Sequence, residues 1–170
     1  MRSNILRAWS VLTLVGLVVL LFGQIATAED WGNSLLGTWQ VQVTQVDCQT
    51  GAALGPAFPS LLTFAVGGTM AEDTTNPVFG PGQRGAGQGV WGVRGRSSYA
   101  AKSVAFINYT TQPDPQTHNP GFEAGQQAIT QDITFDRHSG QWSSQAEIVF
   151  TDTTGAVYRQ GCAIASGKRF

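Results

Sequence analysis

From Gly37 onward the chain alternates apolar and polar residues in short runs, separated by clusters of Gly, Pro, Asp and Ser. A period of two places the apolar side chains on one face of a strand. The clearest run is Gln141 to Thr151, where Trp142, Ser144, Ala146, Ile148 and Phe150 alternate with Gln141, Ser143, Gln145, Glu147 and Val149. Seven further runs follow the same rule: Gly37 to Asp47, Ser60 to Val66, Thr69 to Asp73, Gly89 to Arg94, Tyr99 to Thr110, Ala124 to Phe135, and Ala156 to the C-terminus, with a candidate bulge at Gly161. The run from Tyr99 is apolar on both faces, since Val104 and Phe106 oppose Ile107 and Tyr109.

The connections are uneven. Gly67-Gly68, Gly95 to Ser98 and Asp136 to Gly140 are tight turns, whereas Cys48 to Pro59, Thr74 to Gln88 and Thr111 to Gly121 are long loops. Alternate connections of an up-and-down meander fall at the same end, so the long loops crowd one rim and these tight turns lie at the other. The pattern predicts an all-β protein, an eight-stranded antiparallel up-and-down β-barrel with a decorated mouth and a closed floor.

The residues before this region read differently. Arg2 and Arg7 precede an apolar run from Val11 to Phe22, followed by Ala26-Thr27-Ala28, the order of a secretory signal with cleavage after Ala28. An uncleaved anchor helix over Ile5 to Ile25 is the alternative. Residues 1–28 are thus expected to be a signal peptide and 29–170 a single barrel domain in a secreted or periplasmic protein.

Composition supports the strand reading. The chain has 21 Gly, 7 Pro and only 12% charged residues, without Glu/Lys/Leu-rich helical stretches after the signal. Without Arg2 and Arg7 of the signal, the 10 basic residues fall to eight against 11 acidic ones, a net charge near −3 with no run of either sign, which makes nucleic acid and anionic membrane surfaces poor partners.

The Gly37-x-Trp39 start, the eight-strand meander and the terminal Arg169 together resemble the calycin superfamily, which includes lipocalins, fatty-acid-binding proteins and avidins. The resemblance implies that Trp39 packs under Arg169 to close the barrel floor; a flat indole face suits a guanidinium. With no recognisable catalytic constellation, a non-enzymatic binding protein is favoured and enzymatic activity stays open. The chain departs from lipocalins at Phe135-Asp136-Arg137-His138, where a Thr-Asp-Tyr motif would stand, and has no segment after Phe170 for a packed helix. A helix-free barrel is closer to the avidin-like or allene-oxide-cyclase-like members, although the avidin biotin-binding residues are not recognisable.

Export permits a disulfide, and the two cysteines allow one pairing, Cys48 with Cys162, two buried thiols being the alternative. Setting Cys48 opposite Cys162 on neighbouring first and last strands places Val41 opposite Arg169, with Trp39 on the diagonal.

The interior of such a barrel is a candidate cavity for a small, mainly apolar ligand, lined by Trp39, Phe64, Trp91, Phe106, Ile133, Trp142 and Phe150. The same aromatics can instead fill the barrel. Glu72 and Arg159 are candidate polar groups inside: a carboxylate in an apolar cavity can act as a general acid or base, and Arg159 can meet an acidic head group. Two further readings follow, a barrel isomerase or cyclase acting on a lipid-like substrate, and a packed-core envelope or secreted module that grips a protein partner with its rim loops.

No catalytic set, metal site or cofactor motif is recognisable. His118 and His138 fall at opposite ends, and Asp114 with His118 makes only two ligands on a Pro-rich loop. The glycines between Asn76 and Gly89 lead into a strand rather than a helix, so they read as a mobile rim and not a phosphate cradle. Asn108-Tyr109-Thr110 fits a glycosylation acceptor pattern inside a strand.

Overall fold

The computed structural model of the protein describes residues 34–116 and 118–170. The expected signal segment, residues 1–28, lies outside the described residues. The described chain forms eight strands: β1 Gly37–Val46, β2 Phe58–Phe64, β3 Thr69–Thr74, β4 Gly87–Gly95, β5 Ser98–Ile107, β6 Gly125–Asp136, β7 Gln141–Asp152 and β8 Val157–Arg169. Each pairs antiparallel with the next, and β1 pairs with β8 to close the barrel. This is the eight-membered meander that the alternation predicts. Closure removes both sheet edges and satisfies their backbone groups.

The β1–β8 register differs from expectation by two residues. Trp39 stands directly opposite Arg169 and Val46 opposite Cys162. The cause is local: β1 stops at Val46, and the Asp47 carboxylate heads a turn by accepting from the backbone N–H groups of Gln49 and Thr50 at 3.0 and 2.8 Å. Cys48 therefore sits in that turn rather than in the ladder. It still reaches across to Cys162, with a Cα–Cα separation of 5.2 Å, and the disulfide is formed.

The floor is built by both chain ends. Trp39 is fully buried and donates its indole N–H to the Leu35 carbonyl at 2.8 Å. The Arg169 guanidinium lies 4.7 Å from the Trp39 ring centroid and donates to the carbonyls of Leu36 and Ser34 at 2.7 and 3.0 Å. Gly37 explains why glycine precedes this tryptophan. Its φ is 115°, and a Cβ there would stand 3.0 Å from Arg169 Nη1.

Above the guanidinium, the lower half of the barrel is filled. Trp39, Trp142 and Phe64 pack edge to face at centroid distances of 6.2 and 6.3 Å, with Phe135 and Trp91 extending the cluster at 6.1 and 5.8 Å. Val41, Leu62, Met70, Tyr99, Ala101 and Ile133 complete it. A second cluster of Ile107, Phe122, Ile148, Phe150 and Ala163 sits near the mouth, and Val78 and Phe79 pack down on it from the β3–β4 loop.

Candidate functional site

Between the two clusters lies a small chamber of about 50 Å³, room for roughly three to four water molecules. Its apolar wall comes from alternate residues of β1, β6, β7 and β8, including Val41, Val43, Ile129, Ala146, Ala163 and Ala165. Its polar wall comes from β3, β6 and the β3–β4 loop, and centres on Glu72 and Arg84.

Glu72 and Arg84 form a buried ion pair. Arg84 Nη2 donates to Glu72 Oε1 at 2.8 Å, and the two side chains are 4% and 7% exposed. Ser103 donates to Glu72 Oε2 at 2.9 Å from two strands away. It can reach because the inward positions of β4 at that level are Gly87 and Gly89; a Cβ on Gly87 would stand 3.0 Å from Glu72 Oε2. Arg84 also donates from Nε to Gln127 Oε1 and from Nη1 to the Gly85 carbonyl. Pairing and hydrogen bonding on this scale are what allow both charges to be buried.

The network has a fixed polarity. Arg84 can only donate, so Gln127 must present Oε1 to it and turn its amide N–H groups elsewhere. Ser144 donates to Gln131 Oε1 at 3.3 Å, and Val78 N–H donates to Asn76 Oδ1 at 3.2 Å. Three carboxamide NH₂ groups, of Asn76, Gln127 and Gln131, thus remain on residues that line the chamber. The chamber thus offers surplus donors, alongside the Gln45 carboxamide, which brings both an NH₂ and a carbonyl oxygen to its lining. Both Glu72 oxygens are engaged, and the carboxylate is buried inside the barrel, where the confinement-enzyme reading requires an acid.

The aromatic lining expected from the sequence is arranged differently. Trp39, Phe64, Trp91, Ile133 and Trp142 pack on one another at the floor and fill space rather than enclose it. Phe106 is 63% exposed on the outside of β5. The inward face of β5 is Tyr99, Ala101, Ser103, Ala105 and Ile107. Alternation could not choose between two apolar faces there; the interior accepts the face with small residues, which leaves space for Glu72 and the floor aromatics. Phe150 belongs to the mouth cluster.

Sequence reasoning missed Arg84. It stands in the glycine-rich stretch read as a mobile rim, yet that loop is folded into the mouth. Gly85 N–H donates to the Phe106 carbonyl and Asn108 N–H to the Gln83 carbonyl, at 2.9 and 2.8 Å. Fully buried Gln83 accepts from Gly80 N–H and donates to Thr111 Oγ1. A lone basic residue between glycines, 12 positions after Glu72, was the available signal.

At the mouth, outside the chamber, Arg159 keeps the inward parity of β8, and no bulge at Gly161 turns it out. Its guanidinium lies 4.7 Å from the Phe122 centroid, 5.8 Å from Tyr158 and 5.9 Å from Phe150. Burial pushes the Tyr158 phenol above its ordinary 10.0, keeping it a donor to the Glu123 carbonyl. His118 lines a groove beside Arg159, whereas His138 is in the β6–β7 turn at the floor end. Asn108 lies just after β5 rather than within it, and donates from Nδ2 to the Gly82 carbonyl at 2.8 Å.

The chain matches no protein-family model and no curated protein.

Proposed function

We propose that the protein is an exported, calycin-like binding barrel that holds a small neutral molecule in the chamber between its two hydrophobic clusters. The carrying observation is the fixed polarity of the Glu72–Arg84–Gln127 network, which leaves carboxamide donors on a chamber whose opposite wall is apolar. A charge-balanced pair with surplus donors favours a neutral occupant bearing a carbonyl or ether acceptor. Such an occupant is still a small, mainly apolar molecule, with one acceptor for the polar wall. The closed barrel and the Cys48–Cys162 disulfide support the calycin-like and exported parts of this reading.

Acetone, the smallest ketone, is a suitable probe for so small a chamber. Titration should shift the side-chain NH₂ resonances of Gln127 and Gln131 saturably, and Ala146→Leu, which fills the chamber, should abolish the response. A linear, non-saturating shift, or an equal response in the Leu variant, would sink the proposal. A larger occupant requires the β3–β4 loop to lift Phe79 from Phe122, which it contacts at 4.6 Å between centroids. Native mass spectrometry of the exported protein would reveal such a passenger.

A further inference from the structure

We infer a second binding site at the barrel mouth, where Arg159 receives the carboxylate of an amphipathic organic acid. The site lies outside the chamber and does not depend on the function proposed for it.

Three observations converge on Arg159. Its guanidinium face is covered by the Phe122 ring, with Phe150 and Tyr158 beside it, so its plane is fixed and its donors act along its edge. Nη2 donates to the Pro120 carbonyl at 3.0 Å. Nη1 is buried and has no hydrogen-bond partner, and Arg159 forms no ion pair among the described residues. A buried cationic donor without an acceptor is costly to leave unmade.

The surroundings select the acceptor. Arg159 opens on a groove of about 690 Å³ between the β1–β2, β3–β4 and β5–β6 loops, with Val46, Leu54, Phe58, Val78, Ile148 and Phe150 among its walls. Among the described residues, Arg159 and His118 are the only ionisable groups that line it, and no carboxylate does. The charge is therefore uncompensated beside apolar surface, the complement of an anionic head on an apolar body. One edge of Arg159 is already engaged by Pro120, and His118 is exposed, so the site suits a singly charged head rather than a dianion.

The test compares 4-phenylbutyrate with its uncharged counterpart, 4-phenylbutan-1-ol, by calorimetric titration of the disulfide-bonded protein at moderate salt. The acid should bind at least tenfold more tightly than the alcohol. Arg159→Gln, which keeps a donor for the Pro120 carbonyl, should bring the two to equal affinity, and Arg159→Lys should retain part of the preference. Near-UV circular dichroism checks that the variants keep their aromatic packing. Equal binding of acid and alcohol to the unaltered protein, no saturable binding of the acid, or a preference that survives Arg159→Gln would each overturn the site. The comparison on the unaltered protein decides the matter even if Arg159→Gln fails to fold. Ala146→Leu separates the two proposals: it should abolish the acetone response and leave the acid preference intact.

Discussion

Glu72 and Arg84 are held inside the barrel by each other, and the cost of removing one is therefore larger than the worth of the pair. Glu72→Ala leaves the guanidinium buried beside Gln127 and should destabilise the protein by about 3–5 kcal/mol in urea titration. Glu72→Leu combined with Arg84→Met should cost less than either single change, since no charge is then stranded. A double variant as unstable as the singles combined would show that the pair does more than neutralise itself. At the floor the balance is different, because Arg169 is exposed. Arg169→Ala removes the stacking on Trp39 and two bonds to backbone carbonyls, for an expected loss of about 1–2 kcal/mol. Trp39→Ala, which opens a hole under that guanidinium, should cost about 3–5 kcal/mol in the same measurement.

At the level of strands and turns, what alternation could encode was legible and what depends on neighbours was not. β7 was read within a residue because Trp142, Ile148 and Phe150 leave one choice of face. β5 was ambiguous because Phe106 and Ile107 compete, and only the packing around Ser103 resolves them. The chamber's polar wall was half legible: Glu72 stands in a readable strand, but Arg84 reaches it from a loop whose path follows from tertiary hydrogen bonds. Gly167 has no role visible in the sequence, yet it is the cross-strand partner of Trp142, and a Cβ there would collide with the indole. Gly167→Ala should therefore lower stability and disturb the near-UV signal of Trp142, a change too large for helix or strand propensity alone. Three turns share another device. Asp47, Asp136 and Asp152 have carboxyls held below the ordinary 3.8, chiefly by hydrogen bonds from Thr50 N–H, Ser139 Oγ and Thr154 Oγ respectively. A folded value below the unfolded one means that the contribution is complete above about pH 3.8 and is lost as pH falls through the folded values. Amide protection factors in these turns, measured against the intrinsic exchange rate at each pH, should fall together under acid below that pH, while the interior of β7 stays protected.

For the whole molecule, closure and the disulfide act on the same seam. The bridge links residues separated by 114 positions, so the chain-entropy model gives it about 4–5 kcal/mol against the reduced form. Unfolding of Cys48→Ser/Cys162→Ser against the oxidised protein measures this. The Arg169 contact to the Ser34 carbonyl has one more consequence, for the order in which the barrel is written. With Arg169 donating to the Ser34 carbonyl and Phe170 N–H to the Thr38 carbonyl, both at 3.0 Å, residues 34 and 170 lie at the same end of the β1–β8 seam, so a short linker can join them and the chain can be opened at Thr153-Thr154-Gly155-Ala156 instead. Such a permuted protein keeps the β1–β8 ladder but carries Cys162 and Cys48 close together in sequence. Its disulfide should then contribute about 1 kcal/mol less than in the original order, because the shorter loop has less freedom to remove. The same barrel would thus rely less on its bridge after nothing more than a change of starting point.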